Sequence, residues 1–184
     1  MKVTQTAISG CLILEPKMFS DDRGYFYESF NQQVFNESTG LEAMFVQDNQ
    51  SQSVKGVLRG LHYQLPPMAQ GKLVRAIRGA ILDVAVDIRK NSSTFGQWVG
   101  VELTEVNHKQ LWLPPGMAHG FLVLSDVAEV LYKATNYYSP KDERIIGWND
   151  KTIGIKWPLS GVSQPIVSGR DLKGVSFIMA EMFG

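Results

Sequence analysis

The sequence predicts a mainly β fold, a sandwich or barrel of short antiparallel strands with few helices. Three observations carry this. Apolar residues recur with period two, as where Leu82, Val84, Val86 and Ile88 alternate with Asp83, Ala85 and Asp87. Such runs are short and broken at close intervals by turn formers: Asp22-Arg23-Gly24, Lys55-Gly56, Arg78-Gly79, Pro114-Pro115-Gly116 and Ser139-Pro140. Only one stretch reads convincingly as helix, which argues against alternating βαβ units.

In chain order, that helix comes first. Residues 31–39 open on Asn31, a good N-cap, and stop at Gly40, which suits the left-handed position after a helix. Residues 45–51 follow as a strand. Leu82–Ile88 is the clearest alternating run. Val99, Val101 and Leu103 share one face of another strand, and Leu111 and Leu113 mark a shorter one. Residues 120–124 and 130–135 are rich in β-formers, while 126–129 is too short to assign. From Lys151 the chain carries Gly154, Pro158, Gly161, Pro165, Gly169 and Gly174, and reads as loops with short irregular structure.

Composition bounds the function. The chain has 184 residues, 44% hydrophobic and 20% charged, which excludes disorder and coiled coil. One domain spanning 1–184 is the natural reading, with an irregular tail from about 151. Lys+Arg and Asp+Glu both number 18, so the charge surplus that nonspecific nucleic-acid binding needs is missing. The single cysteine, Cys11, cannot form an intrachain disulfide, which suggests a reducing compartment. No apolar run reaches the roughly 18 residues of a membrane span, and the N-terminus has no apolar signal core. A cytoplasmic protein without membrane contact is expected.

Dinucleotide and P-loop glycine signatures and H-E-x-x-H are absent. The chain has three histidines, His62, His108 and His119. His119 lies in Pro114-Pro115-Gly116-Met117-Ala118-His119-Gly120-Phe121, which resembles the P-x-G-x-x-H motif of the cupins, small jelly-roll β-barrels. Gly56 and His62 resemble part of the other cupin motif. There Gln64 stands where a second histidine would be, and nothing acidic lies between His62 and Lys72. Metal-binding cupins typically use three His and one Glu. Two of those ligands are missing, and Lys72 would add a repelling cation, so a cavity without metal is expected. His108 lies in a polar turn and receives no role.

Further segments resemble one family. They are Asp22-Arg23-Gly24-Tyr25-Phe26-Tyr27-Glu28, Gln47-Asp48-Asn49-Gln50-Ser51, Leu58-Arg59-Gly60-Leu61-His62-Tyr63-Gln64, Gln70-Gly71-Lys72-Leu73-Val74 and Trp148-Asn149-Asp150. Together with the segment around His119 they resemble the dTDP-4-dehydrorhamnose 3,5-epimerases over nearly the whole chain. The resemblance implies a dTDP-linked 4-keto-6-deoxyhexose as substrate. Carbons 3 and 5 flank its C4 ketone, so removing a proton from either gives an enolate with its charge on the ketone oxygen. Epimerisation then needs a base on one face, a proton source on the other, and a cation or donor at the oxygen. That logic requires no cofactor.

By the same resemblance His62 is the base, paired with Asp171 near the C-terminus. Tyr132 is the proton donor and Lys72 the partner of the enolate oxygen. Taken alone, each has a plainer reading: a satisfied core histidine, a loop carboxylate, a packed tyrosine, an exposed turn lysine. His119 is either a contact to the sugar or a structural barrel histidine. Arg23 and Arg59 match phosphate contacts, with Arg170 expected to assist. Gln47, Asn49, Tyr138 and Glu143 match other substrate contacts, and Phe26 and Glu28 the thymidine side. Arg59 and His62 have opposite strand parity, so both reach one cavity only if the strand bulges or bends, which Gly60 permits. The resemblance also implies a homodimer in which an N-terminal strand joins the partner's sheet and residues 23–28 serve the partner's site. The competing readings are an epimerase acting at one carbon, a 3,4-ketoisomerase, a non-catalytic sugar-nucleotide binding module and a metal cupin oxygenase.

Overall fold

The period-two runs become strands that pair into two large sheets. The computed structural model describes residues 1–159 and 164–184; Gly161 of the expected tail loops lies outside the described residues. In chain order the strands are β1 (Lys2–Gln5), β2 (Leu12–Glu15), β3 (Phe19–Asp21), β4 (Gly24–Phe26), β5 (Gln47–Val54), β6 (Val57–Gln64), β7 (Lys72–Arg78), β8 (Ala80–Asp87), β9 (Trp98–Thr104), β10 (Gln110–Leu113), β11 (Met117–Val123), β12 (Val127–Ala134), β13 (Glu143–Ile145) and β14 (Ile166–Val167). The first sheet runs β1-β2-β10-β7-β12-β5; the second runs β13-β6-β11-β8-β9, with β14 beside β6. Pairing is antiparallel except between β14 and β6. This is the cupin-type jelly-roll barrel. Strands β3 and β4 form a separate hairpin that belongs to neither large sheet.

Side-chain parity divides the apolar residues into three layers. Val74 and Ala76 of β7, Leu111 and Leu113 of β10, and Ala128 and Val130 of β12 face inward from the first sheet. They meet Ile81 and Ala85 of β8, Val101 and Leu103 of β9, and Met117, Phe121 and Val123 of β11. The alternate residues of the second sheet, Leu61, Tyr63, Val84, Val86 and Ala118, pack outward against Ile153, Trp157 and Phe177 of the tail. This segment covers a face that would otherwise be apolar and wet.

The outer face of the first sheet is covered by α1 (Gln32–Thr39). Asn31 caps it, its side-chain oxygen accepting from Gln33 N–H at 3.0 Å and Val34 N–H at 3.2 Å. Gly40 ends it at φ +72°, its N–H donating to Asn36 O. The helix buries Phe35 completely against Leu12, Leu14, Leu73 and Trp112, worth about 2–3 kcal/mol for a side chain of that size. Residues 126–129, unassigned from sequence, fall largely in β12, where Ala128 faces the core. Among the described residues no helix is long and apolar enough to cross a membrane.

Candidate active site

Between the sheets lies a cavity of about 390 Å³. The first sheet contributes Gln47, Asn49 and Ser51 from β5, Lys72 from β7 and Tyr132 from β12. The second contributes Arg59 and His62 from β6, His119 and Phe121 from β11, and Glu143 from β13. Gln70, Tyr138 and Arg170 complete it from loops. His62 and Tyr132 therefore project from opposite sheets into one space.

The parity conflict between Arg59 and His62 is resolved by a bulge. Phe121 pairs with Arg59 while His119 pairs with His62, so three steps along β6 match two along β11. Before the bulge the odd residues Val57 and Arg59 face inward; after it, Leu61 and Tyr63 face outward and His62 inward. Gly60 sits at the bulge with φ +131°, and a Cβ there would lie 2.5 Å from Gly120 Cα and 2.9 Å from His119 O. Only glycine fits both the backbone angle and the close approach of the two strands.

His62 and Asp171 meet although 109 positions separate them, Nε2 lying 2.7 Å from Oδ1. Burial raises the Asp171 carboxyl, but hydrogen bonds from His62, Gly60 N–H and Ser168 outweigh it and hold the group below its ordinary value. An ionised carboxylate only accepts, so Nε2 carries the proton and Nδ1 is left as the basic nitrogen. The His62 side chain is 27% exposed and Asp171 5%, so the ring reaches the cavity while its partner stays behind it.

A second such pair lies alongside. His119 Nε2 is 2.7 Å from Asp83 Oδ1, and both side chains are buried. Burial pushes the His119 imidazole below its usual value, against the opposing pull of Asp83. Asp83 Oδ2 has no hydrogen-bond partner among the described residues. The sequence assigns Asp83 no role; the available signal is a charged residue recurring inside a strongly apolar strand.

Lys72 is not an exposed turn lysine. It opens β7 with its ammonium closely surrounded by protein, which lowers its pKa to about 8 while the Asp83 charge pulls it back up. The ammonium lies 5.8 Å from the centre of the Tyr132 ring. Burial raises the Tyr132 phenol above its ordinary value, with Arg59 opposing, so the hydroxyl keeps its proton. The set comprises an imidazole with a buried anion behind it, a protonated phenol on the opposite wall and an ammonium beside the phenol. Such a set can take a proton from one face of a ring, return one to the other, and hold a transient oxyanion.

The cavity mouth is polar. Tyr138 hydroxyl donates to Glu143 Oε2 at 2.9 Å, and Arg170 pairs with Glu143. Gln47 receives the Tyr138 N–H at 3.0 Å and donates to Asn49 Oδ1 at 3.0 Å. Arg59 Nε donates across the sheets to Ser53 Oγ at 3.1 Å. Gln64, at the cupin metal-ligand position, binds main chain instead. Its Nε2 donates to Met68 O at 2.6 Å and Tyr137 O at 3.1 Å, and its Oε1 accepts from Ser139 N–H at 2.9 Å. No group of three or more His, Cys, Asp or Glu among the described residues is arranged to hold a metal ion.

Three candidates are not brought to this cavity. Arg23 and Phe26 are exposed on the β3–β4 hairpin, where Arg23 pairs with Asp21, and exposed Glu28 follows it, accepting from Asn31 Nδ2. Cys11 is buried, its thiol pushed up to about 12 by burial, which leaves it unreactive.

Known proteins resemble this chain in sequence and fold. The model of the dTDP-4-dehydrorhamnose 3,5-epimerase family matches residues 5–178. The chain is 58% identical to the dTDP-4-dehydrorhamnose 3,5-epimerase of Shigella flexneri over 183 residues, covering 100% of this chain and 99% of that one. A crystal structure of a dTDP-6-deoxy-D-glucose-3,5-epimerase from Legionella pneumophila, in complex with dTDP-4-keto-L-rhamnose, superposes with a TM-score of 0.93 at 47% identity, covering 98% of this chain and 94% of that one. A 3'-monoepimerase from Streptomyces bikiniensis, in complex with dTDP-quinovose, superposes at 0.87 with 34% identity, covering 94% and 86%.

Proposed function

The chain belongs to the dTDP-4-dehydrorhamnose 3,5-epimerase family, and from that premise we propose how its cavity carries out the family's reaction. It is an isomerase converting dTDP-4-dehydro-6-deoxy-D-glucose to dTDP-4-dehydro-L-rhamnose. His62 takes the proton from the carbon next to the ketone, and Asp171 stabilises the imidazolium that results. The enolate charge gathers on the C4 oxygen, where the Lys72 ammonium balances it. Tyr132 delivers a proton from the opposite wall, inverting the carbon. Applied at C3 and at C5, with His62 giving its proton to solvent and Tyr132 regaining one from solvent between the two inversions, the steps exchange protons only and need neither an oxidant nor a reductant.

The observation that carries this reading is the placement of His62 and Tyr132 on opposite sheets around one cavity with Lys72 beside the phenol. His119 and Asp83 hold the sugar side. Arg59 and Arg170 take the diphosphate, while Gln47, Asn49, Tyr138 and Glu143 contact the rest of the substrate. The protein acts as a homodimer, in which the β3–β4 hairpin carries Arg23 and Phe26, with Glu28 following, to the partner's cavity. In support, those residues are exposed away from their own cavity, and β5 ends the first sheet with one side unpaired. A cytoplasmic location fits the lone, buried Cys11.

Proton NMR of the dTDP-4-keto-6-deoxyglucose sugar in heavy water tests the reaction. Deuterium enters at both C3 and C5 without added metal or nucleotide cofactor. Entry at C3 alone would establish the one-carbon reading that the Streptomyces bikiniensis neighbour represents. Tight binding with no exchange would leave only a binding module.

A further inference from the structure

His108, without a role from sequence, packs against Tyr25 of the hairpin and against Tyr27, which follows it. Its ring centre lies 5.0 Å from that of Tyr25 and 5.1 Å from that of Tyr27. The ring centres of Tyr25 and Tyr27 lie 6.0 Å apart, so the imidazole completes a triangle of three rings, while Phe26, between them in sequence, has the opposite parity and is 71% exposed. The hairpin belongs to neither large sheet. A longer bond from Arg75 Nη1 to the Tyr27 hydroxyl, at 3.4 Å, adds to its attachment.

The other side of the contact is rigid. His108 stands at φ +51°, a left-handed backbone that non-glycine residues rarely adopt. The turn between β9 and β10 holds it there. His108 N–H donates to Thr104 O, Asn107 Oδ1 accepts from Thr104 and Lys109 N–H, Asn107 Nδ2 donates to Glu102 O, and Thr104 Oγ1 accepts from Val106 and Asn107 N–H. A fixed ring projecting from a braced turn is suited to setting the angle of a lightly attached hairpin.

We infer that His108 is a positioning residue for substrate binding: its ring, packed against both Tyr25 and Tyr27, sets the angle at which the hairpin presents Arg23 and Phe26 to the nucleotide half of the substrate in the second copy of the chain. This rests on the proposal that the hairpin serves the partner's cavity. The imidazole acts through ring contacts, tilted at 54° and 46° to the two tyrosines, so an aromatic ring replaces it and an amide does not.

Steady-state kinetics with dTDP-4-dehydro-6-deoxy-D-glucose tests it. His108→Asn tolerates the left-handed backbone but removes the ring. It raises KM about fivefold to tenfold, as the loss of stacked-ring contacts implies, with kcat within about twofold of the parent. His108→Phe keeps KM near the parent value, and Tyr25→Leu reproduces the His108→Asn split from the other side of the contact. Arg23→Ala raises KM as well. If Arg23→Ala raises KM and His108→Asn does not, the hairpin reading stands and the role of His108 falls. If Arg23→Ala leaves KM unchanged, the hairpin reading falls and takes this inference with it. A Tyr25→Leu variant with the parent KM, or a kcat loss in His108→Asn matching the rise in KM, also overturns it.

Discussion

His62 and His119 face one another as register partners on the adjacent strands β6 and β11, and each Nε2 lies 2.7 Å from a carboxylate oxygen, of Asp171 and Asp83 respectively. Their surroundings separate their roles. The His119 side chain is 8% exposed and its imidazole is held neutral by burial, whereas His62 opens further to the cavity and has its carboxylate behind it. Of the two His–Asp pairs, the one with the more accessible ring is the one we propose as base.

His62→Ala abolishes proton exchange at both C3 and C5, lowering the rate by roughly 10²–10⁴-fold. Asp171→Asn leaves the ring in place but removes the anion that selects its tautomer, and the loss approaches that of His62→Ala. Deuterium wash-in followed by NMR measures both; unchanged exchange in His62→Ala would place the base elsewhere.

Tyr132→Phe separates removal of the proton from its return. Wash-in catalysed by His62 persists, while formation of dTDP-4-dehydro-L-rhamnose falls by about 10²-fold or more. Equal loss of exchange and product would contradict the donor role.

Lys72 ties activity to pH. With a pKa near 8 the ammonium is present at neutral pH and is lost above it, so kcat declines as pH rises through about 8. Asp83→Asn removes the charge that supports the ammonium and moves this decline to lower pH. Lys72→Arg, which stays charged, removes the decline, and Lys72→Met costs about 10²–10³ in rate below pH 8, the difference from the parent narrowing above it. The pH dependence of kcat checks the set.

Gly60→Ala breaks the site through its backbone. The new Cβ meets Gly120 Cα and His119 O, groups that no side-chain rotation can move. The strands must separate or β6 must lose its bulge, and either turns His62 out of the cavity. Thermal melting shows a loss of about 3 kcal/mol or more, and activity falls together with stability.

Asp87 is a stability residue outside the cavity. Burial raises its carboxyl, but bonds from Arg89, Ser92 and Thr94 outweigh this and bring it to about 2, below the ordinary 3.8. Its contribution is present above pH 3.8 and is lost as pH falls through about 2. Asp87→Asn costs about 3 kcal/mol at neutral pH, or roughly 6–12 °C in Tm. The difference from the parent narrows in melts taken between pH 4 and 2.

What the sequence made legible was local. Asn31 and Gly40 announce the helix because capping depends on a few neighbouring atoms, and Gly60 announces the bulge because parity forbids Arg59 and His62 a common face without one. Asp171 was reachable only through family resemblance, since nothing near it in the chain encodes a partner 109 positions away. Asp83 went without a role because a charge alternating with apolar residues usually marks a wet face. In β8 both faces are covered, and the polar parity is the one lining the barrel interior. Lys72 was divided between turn and site for the same reason: exposure depends on the sheet that closes over it.

The fate of Gln64 bears on how such barrels exchange one chemistry for another. Its amide is fully engaged with the main chain at positions 68, 137 and 139, fastening the stretch that leads into Tyr138. Placing a histidine there to recruit a cation would unfasten three anchor points at once. Such a change would loosen the substrate's seat before any new ligand set could assemble. The departure from the metal-bearing cupin pattern therefore behaves as a ratchet, and it sets a practical obstacle for anyone redesigning this scaffold by single substitutions.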